Sequence, residues 1–448
     1  MSQTKPDQSF WKLWNLSFGF FGVQIAYALQ SANISRIFAT IGADPHNLSF
    51  FWILPPLMGI IVQPLVGAAS DRTWNRFGRR LPYLILGAAI AVIVMCLLPN
   101  AGSFGLSISG AMVFGFIALM FLDTSINMAM QPFKMLVGDQ VNEKQKGLAY
   151  SIQIFLCNAG SLVGYLAPIT LTAIGISNLA PKGQVPPTVT YSFYIGAAVL
   201  VLCVIYSFVF IREMPPKEYA EFHGIDTTAK EEKPKRDNMF KLLVHAPKTF
   251  WTVGLVQFFC WSAFLYMWTY TNGAIADTVW GTTDVHSEAY QSAGNWVGVL
   301  FAVQAVGSVL WAIVIPQFKN HKVIYALSLV LGGIGFISTL FITNQYGLFV
   351  SYFLIGCAWA AMLAMPFTIL TNSLSGENMG TYLGLFNGTI CLPQIVAAAL
   401  GGVILTLMGG KQVDMLVLAG VLLIVGALCV SFIKETYGES KSATEKAA

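Results

Sequence analysis

The sequence GAMVFGFIALMFLDTSINMAMQPFKMLVG, residues 110 to 138, is an apolar segment long enough to cross a bilayer as a helix, and it carries one carboxylate, Asp123. An ionisable side chain near the bilayer centre costs roughly 2.5–3.5 kcal/mol on insertion scales, so proteins usually keep one for pairing, ion coupling or a water-filled pathway. Asp123, Asn127 and Gln131 recur every four residues and therefore share one helical face. The segment predicts a membrane-spanning helix whose acid has a functional role.

The composition of the whole chain is that of a polytopic membrane protein. Of its 448 residues 56% are hydrophobic and only 10% are charged, whereas soluble domains are about 25% charged. At about 20 residues per span, the chain has room for about twelve helices and for no soluble domain of useful size. The seven cysteines lie singly in apolar runs, so we interpret them as buried hydrophobic side chains. The N-terminus has no signal-peptide pattern, so we expect the first apolar run to remain as a span.

Hydropathy predicts twelve spans, at residues 13–34, 48–69, 82–99, 108–137, 148–174, 190–211, 250–273, 294–315, 324–343, 346–371, 380–405 and 415–433. An even number of spans places both termini on one side of the membrane. Of the 25 Lys and Arg residues, all except Arg36, Lys182 and Lys411 lie on that side. The positive-inside rule therefore predicts that both termini are cytoplasmic.

The connection 212–249 is the only sustained polar stretch between predicted spans, and we interpret its charges as a solvated tether. Pro132-Phe133 in the fourth span matches Pro366-Phe367 in the tenth, which favours two pseudo-symmetric bundles with a midplane binding site. At the same offset Asp123 matches Cys357, so the acid belongs to the N-terminal half. The predicted parts are a cytoplasmic N-terminal tail (1–12), a six-helix bundle (13–211), a cytoplasmic linker (212–249), a second six-helix bundle (250–433) and a cytoplasmic C-terminal tail (434–448).

The loop after the second span, GAASDRTWNRFGRR, has the order G-x3-D-R-x5-G-R-R from Gly67 to Arg80. This order resembles the cytoplasmic loop signature of the major facilitator superfamily. Gly67 permits close approach of helices, and the charged residues can pair with other charges and with helix ends. We predict a cytoplasmic gate formed by Gly67, Asp71, Arg72, Arg79, Arg80 and Asp139.

Further stretches narrow the resemblance to one branch of that superfamily. They are GVQIAYALQ (22–30), IVQPLVG (61–67), LDTSINMAMQPFKMLVGD (122–139) and GLFNGTICLPQ (384–394), with NWVGVLFAVQ (295–304) most similar to bacterial-type members. The chain resembles the sucrose and maltose proton symporters, which include plant sucrose carriers and similar animal and bacterial proteins. The resemblance implies the major facilitator fold, and it implies that Asp123, which matches the family's acid on the fourth helix, binds the coupling proton.

The partner of Asp123 is left open by the sequence, because plant members carry an arginine near the start of the fifth helix, where this chain has Lys146-Gly147. Burial favours the neutral form of a carboxyl, so Asp123 can load and unload protons. The alternative is a carboxyl that stays protonated permanently, or one that is satisfied by neighbouring amides such as Asn127 and Asn158. In the second half the loop signature is reduced to PQFKNHK, residues 316–322.

Neutral polar side chains in the spans are the candidate sugar ligands, because amides donate to and accept from hydroxyls. Trp268 and Asn272 are added because aromatic rings stack on the apolar faces of sugars and both residues lie near an expected helix break at Gly273. Each amide alone is equally suited to an interhelical hydrogen bond. The predicted substrate-binding set is Gln24, Gln30, Asn33, Asn127, Gln131, Asn158, Trp268, Asn272, Asn387 and Gln394.

The sequence therefore predicts a proton-coupled symporter of a maltose- or sucrose-type α-glucoside that works by alternating access. Two alternatives within transport are an uncoupled sugar facilitator and a proton-driven antiporter of other small molecules. A membrane-embedded enzyme has little support, because no paired acids, metal cluster or phosphate-binding glycine loop occurs. We expect no metal or organic cofactor beyond the coupling proton, and a monomer whose partners are the sugar and the lipid bilayer, with no nucleic acid. We expect it in the plasma membrane, as a bacterial inner-membrane protein.

Overall fold

The computed structural model describes residues 5–142, 144–223, 244, 246–318, 320–373 and 385–433. Parts of both predicted tails, most of the predicted linker and residues 380–384 of the eleventh predicted span lie outside the described residues. The described helices are α1 Phe10–Ile41, α2 Pro45–Phe51, α3 Leu54–Arg72, α4 Leu81–Leu97, α5 Ile108–Gln140, α6 Lys146–Ala173, α7 Pro187–Phe210, α8 Pro216–His223, α9 Lys248–Thr278, α10 Glu288–Val314, α11 His321–Ser338, α12 Leu348–Ser373, α13 Gly388–Leu407 and α14 Gln412–Cys429.

The predicted all-helical membrane architecture is confirmed. Within the described residues, 11 helical segments are long and apolar enough to cross a membrane, and they correspond to the second to twelfth predicted spans. The first predicted span is α1, a helix of 32 residues whose side chains are mostly buried. It is not among these 11 segments, and its buried residues include the polar side chains of Gln24, Gln30 and Asn33. A helix that buries polar groups in this way is organised around contacts with other helices.

Local sequence sets the ends of several helices. The Ser107 side chain accepts a hydrogen bond from the backbone N–H of Gly110 at the start of α5, and Ser9 does the same for Lys12 at the start of α1. Gly42, with φ of 128°, ends α1 in a backbone conformation that residues with a Cβ rarely adopt. Helix α5 begins and ends within three residues of its predicted limits, whereas α1 continues seven residues beyond its predicted end, as far as the glycine that caps it.

Contacts group the chain into two compact units. Unit 1 consists of Met1–Asp44, Leu57–Lys233 and Asp284–Ala302, and it therefore includes the first part of α10. Unit 2 consists of Pro45–Pro56, Pro234–Thr283 and Val303–Ala448, and it therefore includes α2. Each unit thus takes one segment from the other half of the sequence.

Small residues bring the helices of unit 1 close together. A Cβ on Gly160 of α6 would lie 2.4 Å from the carbonyl oxygen of Phe21 on α1, and one on Gly164 would lie 2.8 Å from that of Ile25. A Cβ on Gly87 of α4 would lie 2.8 Å from the carbonyl oxygen of Ser125 on α5. Close backbone approach of this kind is typical of helix packing in membranes. It fixes the positions of α1 and α5, the two helices that carry the polar residues described below.

In unit 2 the expected break at Gly273 is absent, because α9 runs without interruption from Lys248 to Thr278. The glycine has a packing role instead. A Cβ there would lie 2.2 Å from Nε2 of Gln412, so the end of this side chain from α14 occupies the space that glycine leaves. The prediction of a helix break was wrong because glycine in a membrane helix serves close contact as often as it ends the helix.

Candidate functional site

Asp123 lies in the middle of α5 and is 2% exposed, between the buried side chains of Leu122 and Ile126. Its Oδ1 accepts a hydrogen bond of 2.5 Å from Nε2 of Gln30 on α1. Its Oδ2 is buried and has no hydrogen-bond partner among the described residues. The carboxyl is therefore paired with one neutral amide on another helix, and none of the described ion pairs includes it.

Asn127 lies one turn after Asp123 and binds it through the backbone instead of the carboxyl. Its Nδ2 donates to the carbonyl oxygen of Asp123 at 2.8 Å, and its Oδ1 accepts from Nε2 of Gln63 on α3 at 2.7 Å. The predicted face of α5 is therefore used for contacts with α1 and α3. Gln63 was missed, although it stands in the quoted stretch IVQPLVG, because one amide in an apolar helix gives no sign of its partner.

A neighbouring amide does contact the carboxyl of Asp123, but it is neither Asn127 nor Asn158. Asn127 contacts the backbone, and Nδ2 of Asn158 donates to the carbonyl oxygen of Ile154 on its own helix. Gln30 takes the place that the two asparagines were expected to fill. The sequence gave no reason to choose Gln30, because 93 positions separate it from Asp123.

The other candidate sugar ligands of unit 1 lie at different places on α1 and α5. Gln24 is buried, and its Oε1 accepts from the hydroxyl of Ser161 on α6 at 3.4 Å. Asn33 is also buried, and its Nδ2 donates to the carbonyl oxygen of Leu29. Gln131 is partly exposed and lies close to α3, with Nε2 3.7 Å from the position of a Cβ on Gly67. Their roles in binding sugar stay predictions.

In unit 2, Trp268 is part of an aromatic cluster. Its ring stacks on that of Trp52 with centroids 6.0 Å apart, and it meets the edge of Trp359 at 5.8 Å. Both Trp268 and Trp359 are partly exposed, so each ring has a face that a ligand can reach. The sequence pointed to Trp268 but not to its partners, which lie on α12 and after α2.

Asn272 lies one turn after Trp268 on α9. It is 4% exposed, and neither its Oδ1 nor its Nδ2 has a hydrogen-bond partner among the described residues. A buried amide without partners is destabilising, so its retention favours a ligand or a water in contact with it. The last two candidate ligands lie on α13 or at its start. Gln394 donates to the carbonyl oxygen of Ile390 on the same helix, and Asn387 directly precedes the first residue of α13.

The predicted gate residues form a compact charged cluster in unit 1. Arg79 and Arg80 both bind Oδ1 of Asp71, at 2.5 and 2.8 Å. Nε of Arg80 also donates to Oδ2 of Asp139 at 2.8 Å. We call Asp71, Arg79, Arg80 and Asp139 the gate cluster. It joins the end of α3, the start of α4 and the end of α5, and Arg80 is only 1% exposed.

Two predicted gate residues lie outside this cluster of contacts. Arg72 is exposed and forms no ion pair with the described residues. At Gly67 a Cβ would meet only Nε2 of Gln131, at the ordinary contact distance of 3.7 Å. The close helix approach expected at Gly67 is therefore not observed in unit 1.

Glu213, which follows α7, completes the cluster and was missed. Its carboxylate accepts hydrogen bonds from the backbone N–H groups of Arg79, Arg80 and Leu81, at 2.9, 2.8 and 2.7 Å, and so caps the start of α4. Burial raises the pKa of Glu213, while these donors and the charge of Arg80 act in the opposite direction. The interpretation of the 212–249 charges as a solvated tether is thus wrong for Glu213. Its position directly after the sixth predicted span could have indicated that Glu213 lies close to the ends of the helices.

The beginning of the chain packs at the same end of unit 1. Nζ of Lys5 donates to the carbonyl oxygen of Gly138 at 3.0 Å, next to Asp139 of the gate cluster. The backbone N–H of Gln8 donates to Oε1 of Gln145 at 2.8 Å. The residues before α1 are therefore on the side of the membrane that holds the gate cluster.

Arg36, near the end of α1, was noted in the sequence only as an exception to the charge rule. The structure buries it fully. Its guanidinium donates to Oε1 of Gln291, Oδ1 of Asn295, Oδ1 of Asn178 and the carbonyl oxygen of Gln291, all at 2.8–2.9 Å. All four acceptors are neutral. Arg36 is one of only three basic residues predicted on the side of the membrane opposite the termini, and this position could have marked it as a buried structural residue.

The family model described as MFS/sugar transport protein matches residues 18–415 of this chain. Proton-associated sugar transporter A of Mus musculus is 34% identical over 104 residues, which are 23% of this chain and 14% of that protein. Membrane-associated transporter protein of Mus musculus is 27% identical over 229 residues, which are 49% of this chain and 42% of that protein. The matches thus cover less than half the length of these relatives.

Two solved structures show the same fold at low identity. A mutant of the nucleoside transporter NupG has a TM-score of 0.70 at 13% identity, covering 94% of this chain and 99% of that chain. A D-xylose-proton symporter has a TM-score of 0.66 at 17% identity, covering 96% and 97%. At these identities the likeness establishes the fold alone.

Proposed function

Because the chain belongs to the MFS/sugar transport protein family and has the major facilitator fold, we propose that it is a proton-coupled disaccharide symporter. The family and the relatives named above are transporters and not enzymes. The proposed substrate is an α-glucoside of the maltose or sucrose type, and the proposed coupling ion is a proton carried by Asp123. The first curated relative is itself described as a proton-associated sugar transporter, which supports this choice.

The burial of Asp123 is the observation on which the proposal depends most. A carboxyl that is 2% exposed, contacts one neutral amide and has no cationic partner among the described residues is poorly stabilised as an anion. Such a group exchanges a proton when its surroundings change between open and closed states. In a carrier this exchange can be coupled to the movement of the substrate.

Polar and aromatic residues of unit 2 support a sugar as the substrate. Asn272 offers an amide with free donors and acceptors, and Trp268 next to it offers an aromatic face. Hydroxyls of a sugar satisfy amides, and the apolar face of its ring stacks on aromatic side chains. Sugar binding by the other predicted ligands remains a proposal for each residue.

In the proposed cycle, the outward-open carrier takes up a proton at Asp123 and a sugar, and the loaded form then opens to the inside and releases both. One charge crossing about 100 mV supplies about 2.3 kcal/mol, enough for about fifty-fold accumulation. The gate cluster with Glu213 would close the cytoplasmic end of unit 1. We place the protein in a plasma membrane, the bacterial inner membrane, with both termini in the cytoplasm.

The test is uptake of labelled maltose and sucrose into proteoliposomes, with and without an inward proton gradient. The wild-type protein should accumulate one of these sugars only with the gradient. Asp123→Asn should exchange sugar but not accumulate it. Asp414→Asn, at the start of α14, is the matched control and should accumulate sugar as the wild type does.

Other outcomes identify the alternatives. Equilibration of sugar without any effect of the gradient would establish an uncoupled facilitator. Proton efflux driven by another solute would establish an antiporter. Full accumulation by Asp123→Asn would remove Asp123 from the coupling mechanism.

A further inference from the structure

Two buried atoms at the Asp123–Gln30 contact lack partners, and they belong to the same pair of side chains. Nε2 of Gln30 donates to Oδ1 of Asp123. The other oxygen of the carboxyl, Oδ2, and the other polar atom of the amide, Oε1, are both buried without a hydrogen bond among the described residues. Orphaned buried polar atoms are rare in folded proteins, so two of them on groups already in contact need a common explanation.

The chemistry of the two groups supplies that explanation. A carboxylate has only acceptors, so it offers nothing to a second acceptor such as Oε1. A protonated carboxyl has one O–H donor and one C=O acceptor, while a primary amide has an N–H donor and a C=O acceptor. The two planar groups can then form a ring of two hydrogen bonds, which satisfies both orphaned oxygens with a single proton.

We propose that Asp123 and Gln30 form a carboxylic acid–amide pair, in which a proton on Oδ2 of Asp123 donates to Oε1 of Gln30 while Nε2 of Gln30 donates to Oδ1. Gln30 is thus the positioning residue of the proton site. The structure shows one half of this ring, the hydrogen bond from Nε2 to Oδ1, and leaves Oδ2 and Oε1 without other partners among the described residues.

Removal of the proton opens the pair. In the proposed pair, two oxygens without a hydrogen, Oδ2 and Oε1, would then face each other in a buried site, and this contact is repulsive. The Gln30 amide has to turn away, and its donor and acceptor become available to other groups. The proton leaves Oδ2 for water when the carrier opens this site to solvent, so no other reactant is needed.

Among the described residues, Gln30 is the side chain that hydrogen-bonds to the carboxyl of Asp123. Helix α5 packs against α1, α4 and α6 and is hydrogen-bonded to α3 through Asn127. Among the described residues no ionisable group on these helices acts on the carboxyl. The next charged residue along α1 is Arg36, whose donors are bound by neutral acceptors elsewhere. The contact of Asn127 with the carbonyl oxygen of Asp123 holds the backbone and leaves the carboxyl free.

The role of the acid–amide pair in transport rests on the proposed function, because only a proton-coupled carrier would use the opening and closing of the pair. The pair itself does not need that function. The test therefore measures the carboxyl directly by infrared spectroscopy of the purified full-length protein in detergent, as the C=O stretching band of a protonated acid. The loss of the band in Asp123→Asn assigns it to Asp123.

In the wild type, the Asp123 band should lie at the low frequency of an acid with two hydrogen bonds. In Gln30→Met, which keeps the side-chain length but has no polar hydrogen, the band should move up towards that of a free acid. Gln257→Met is the matched control, since Gln257 is a buried amide with one bond to a backbone oxygen and an orphaned Oε1, on α9. It should leave the band unchanged.

The double variant Gln30→Glu/Asp123→Asn exchanges the acid and the amide between the helices. It should restore a low-frequency acid band, which a merely structural role of Gln30 would not do. If Gln30→Met does not fold, the band frequency of the wild type and that of the double variant Gln30→Glu/Asp123→Asn still test whether the acid–amide pair forms. A wild-type band at the free-acid frequency, no Asp123 band at any pH, or an unchanged band in Gln30→Met would each overturn the proposal.

Sugar uptake by the same variants separates the two proposals. If the infrared results are as expected but no sugar accumulates with a proton gradient in the wild type, the acid–amide pair stands and the proposed function fails. If the wild type accumulates sugar and Gln30→Met leaves the Asp123 band unchanged, the proposed function stands and the pair is refuted.

Discussion

Arg36 and Gln291 are joined by two hydrogen bonds, from Nε of Arg36 to Oε1 of Gln291 at 2.8 Å and from Nη2 to its carbonyl oxygen at 2.9 Å. The end of α1 is thereby tied to the start of α10 within unit 1. A fully buried guanidinium is stable only when its donors are satisfied. The residues around Arg36 should therefore tolerate little change.

Gly294→Ala should destabilise the protein by about 1–3 kcal/mol, as overpacking of a filled site does. The added Cβ would lie 2.5 Å from Nε of Arg36, whose side chain is held by its four hydrogen bonds. Thermal unfolding of the purified protein, followed by tryptophan fluorescence, measures the effect. Gly147→Ala is the control, because nothing lies within 4 Å of its added Cβ, and an equal fall in Tm for both variants would contradict the prediction.

Gln291→Leu should lower the free energy of unfolding by about 2–3 kcal/mol, because hydrogen bonds to charged groups are the stronger ones. The variant leaves Nε of Arg36 without its acceptor in a buried site. Gln317→Leu, at an exposed position after α10, should change stability by less than about 0.5 kcal/mol. Chemical denaturation of both variants gives the comparison. A tolerated Gln291→Leu would show that the other acceptors suffice.

Asn272→Leu should keep or raise stability, by up to about 1 kcal/mol, because the amide that it removes is buried without partners. If Asn272 binds sugar, the same variant should raise the KM for uptake about tenfold, which corresponds to about 1.4 kcal/mol. Gln153→Leu is the contrasting control, since its amide donates to the carbonyl oxygen of Phe133 and its loss should cost stability. A destabilised Asn272→Leu with an unchanged KM would assign a structural role.

The stability of the wild type relative to Glu213→Gln should fall as pH rises. Burial raises the pKa of Glu213, so the folded protein binds this proton more tightly than the unfolded chain does. The stabilisation is complete below the unfolded pKa of about 4.3 and is lost as pH rises through the higher folded pKa. Apparent Tm values of both proteins between about pH 4 and about pH 7 test this. A difference that grows in favour of the wild type with rising pH would show that the three N–H donors outweigh burial.

The sequence identified the helices because their signals are local. A run of about 20 apolar residues, a serine or asparagine before it and a glycine after it all act within a few positions. In the gate cluster, Asp71, Arg79 and Arg80 are close in sequence and pair with one another, while their role as a gate stays a prediction. Glycine was less informative, since Gly273 gave a wrong break and Gly67 shows no close contact.

Asp123 was found from sequence alone, because a carboxyl in an apolar helix stands out wherever the chain folds. Its partner could not be found in this way. Gln30, Gln24 and Asn33 are equivalent in sequence, as polar residues on one helix. Only the packing of α1 against α5 and α6, through close contacts such as those of Gly160, decides which of them reaches the acid.

The sequence by itself determined that this protein is a helical membrane protein with an acid inside one apolar span, because its apolar runs show which segments must leave water. That it is a carrier came from its resemblance to known symporters. Tertiary structure decided the partners: Gln30 for Asp123, Glu213 for the start of α4, and Gln291 for Arg36. A buried polar group requires a hydrogen bond, and the sequence shows which polar residues lie within apolar spans and so require one. The atom that meets it depends on which helices lie side by side, which is set by contacts between residues far apart in the chain.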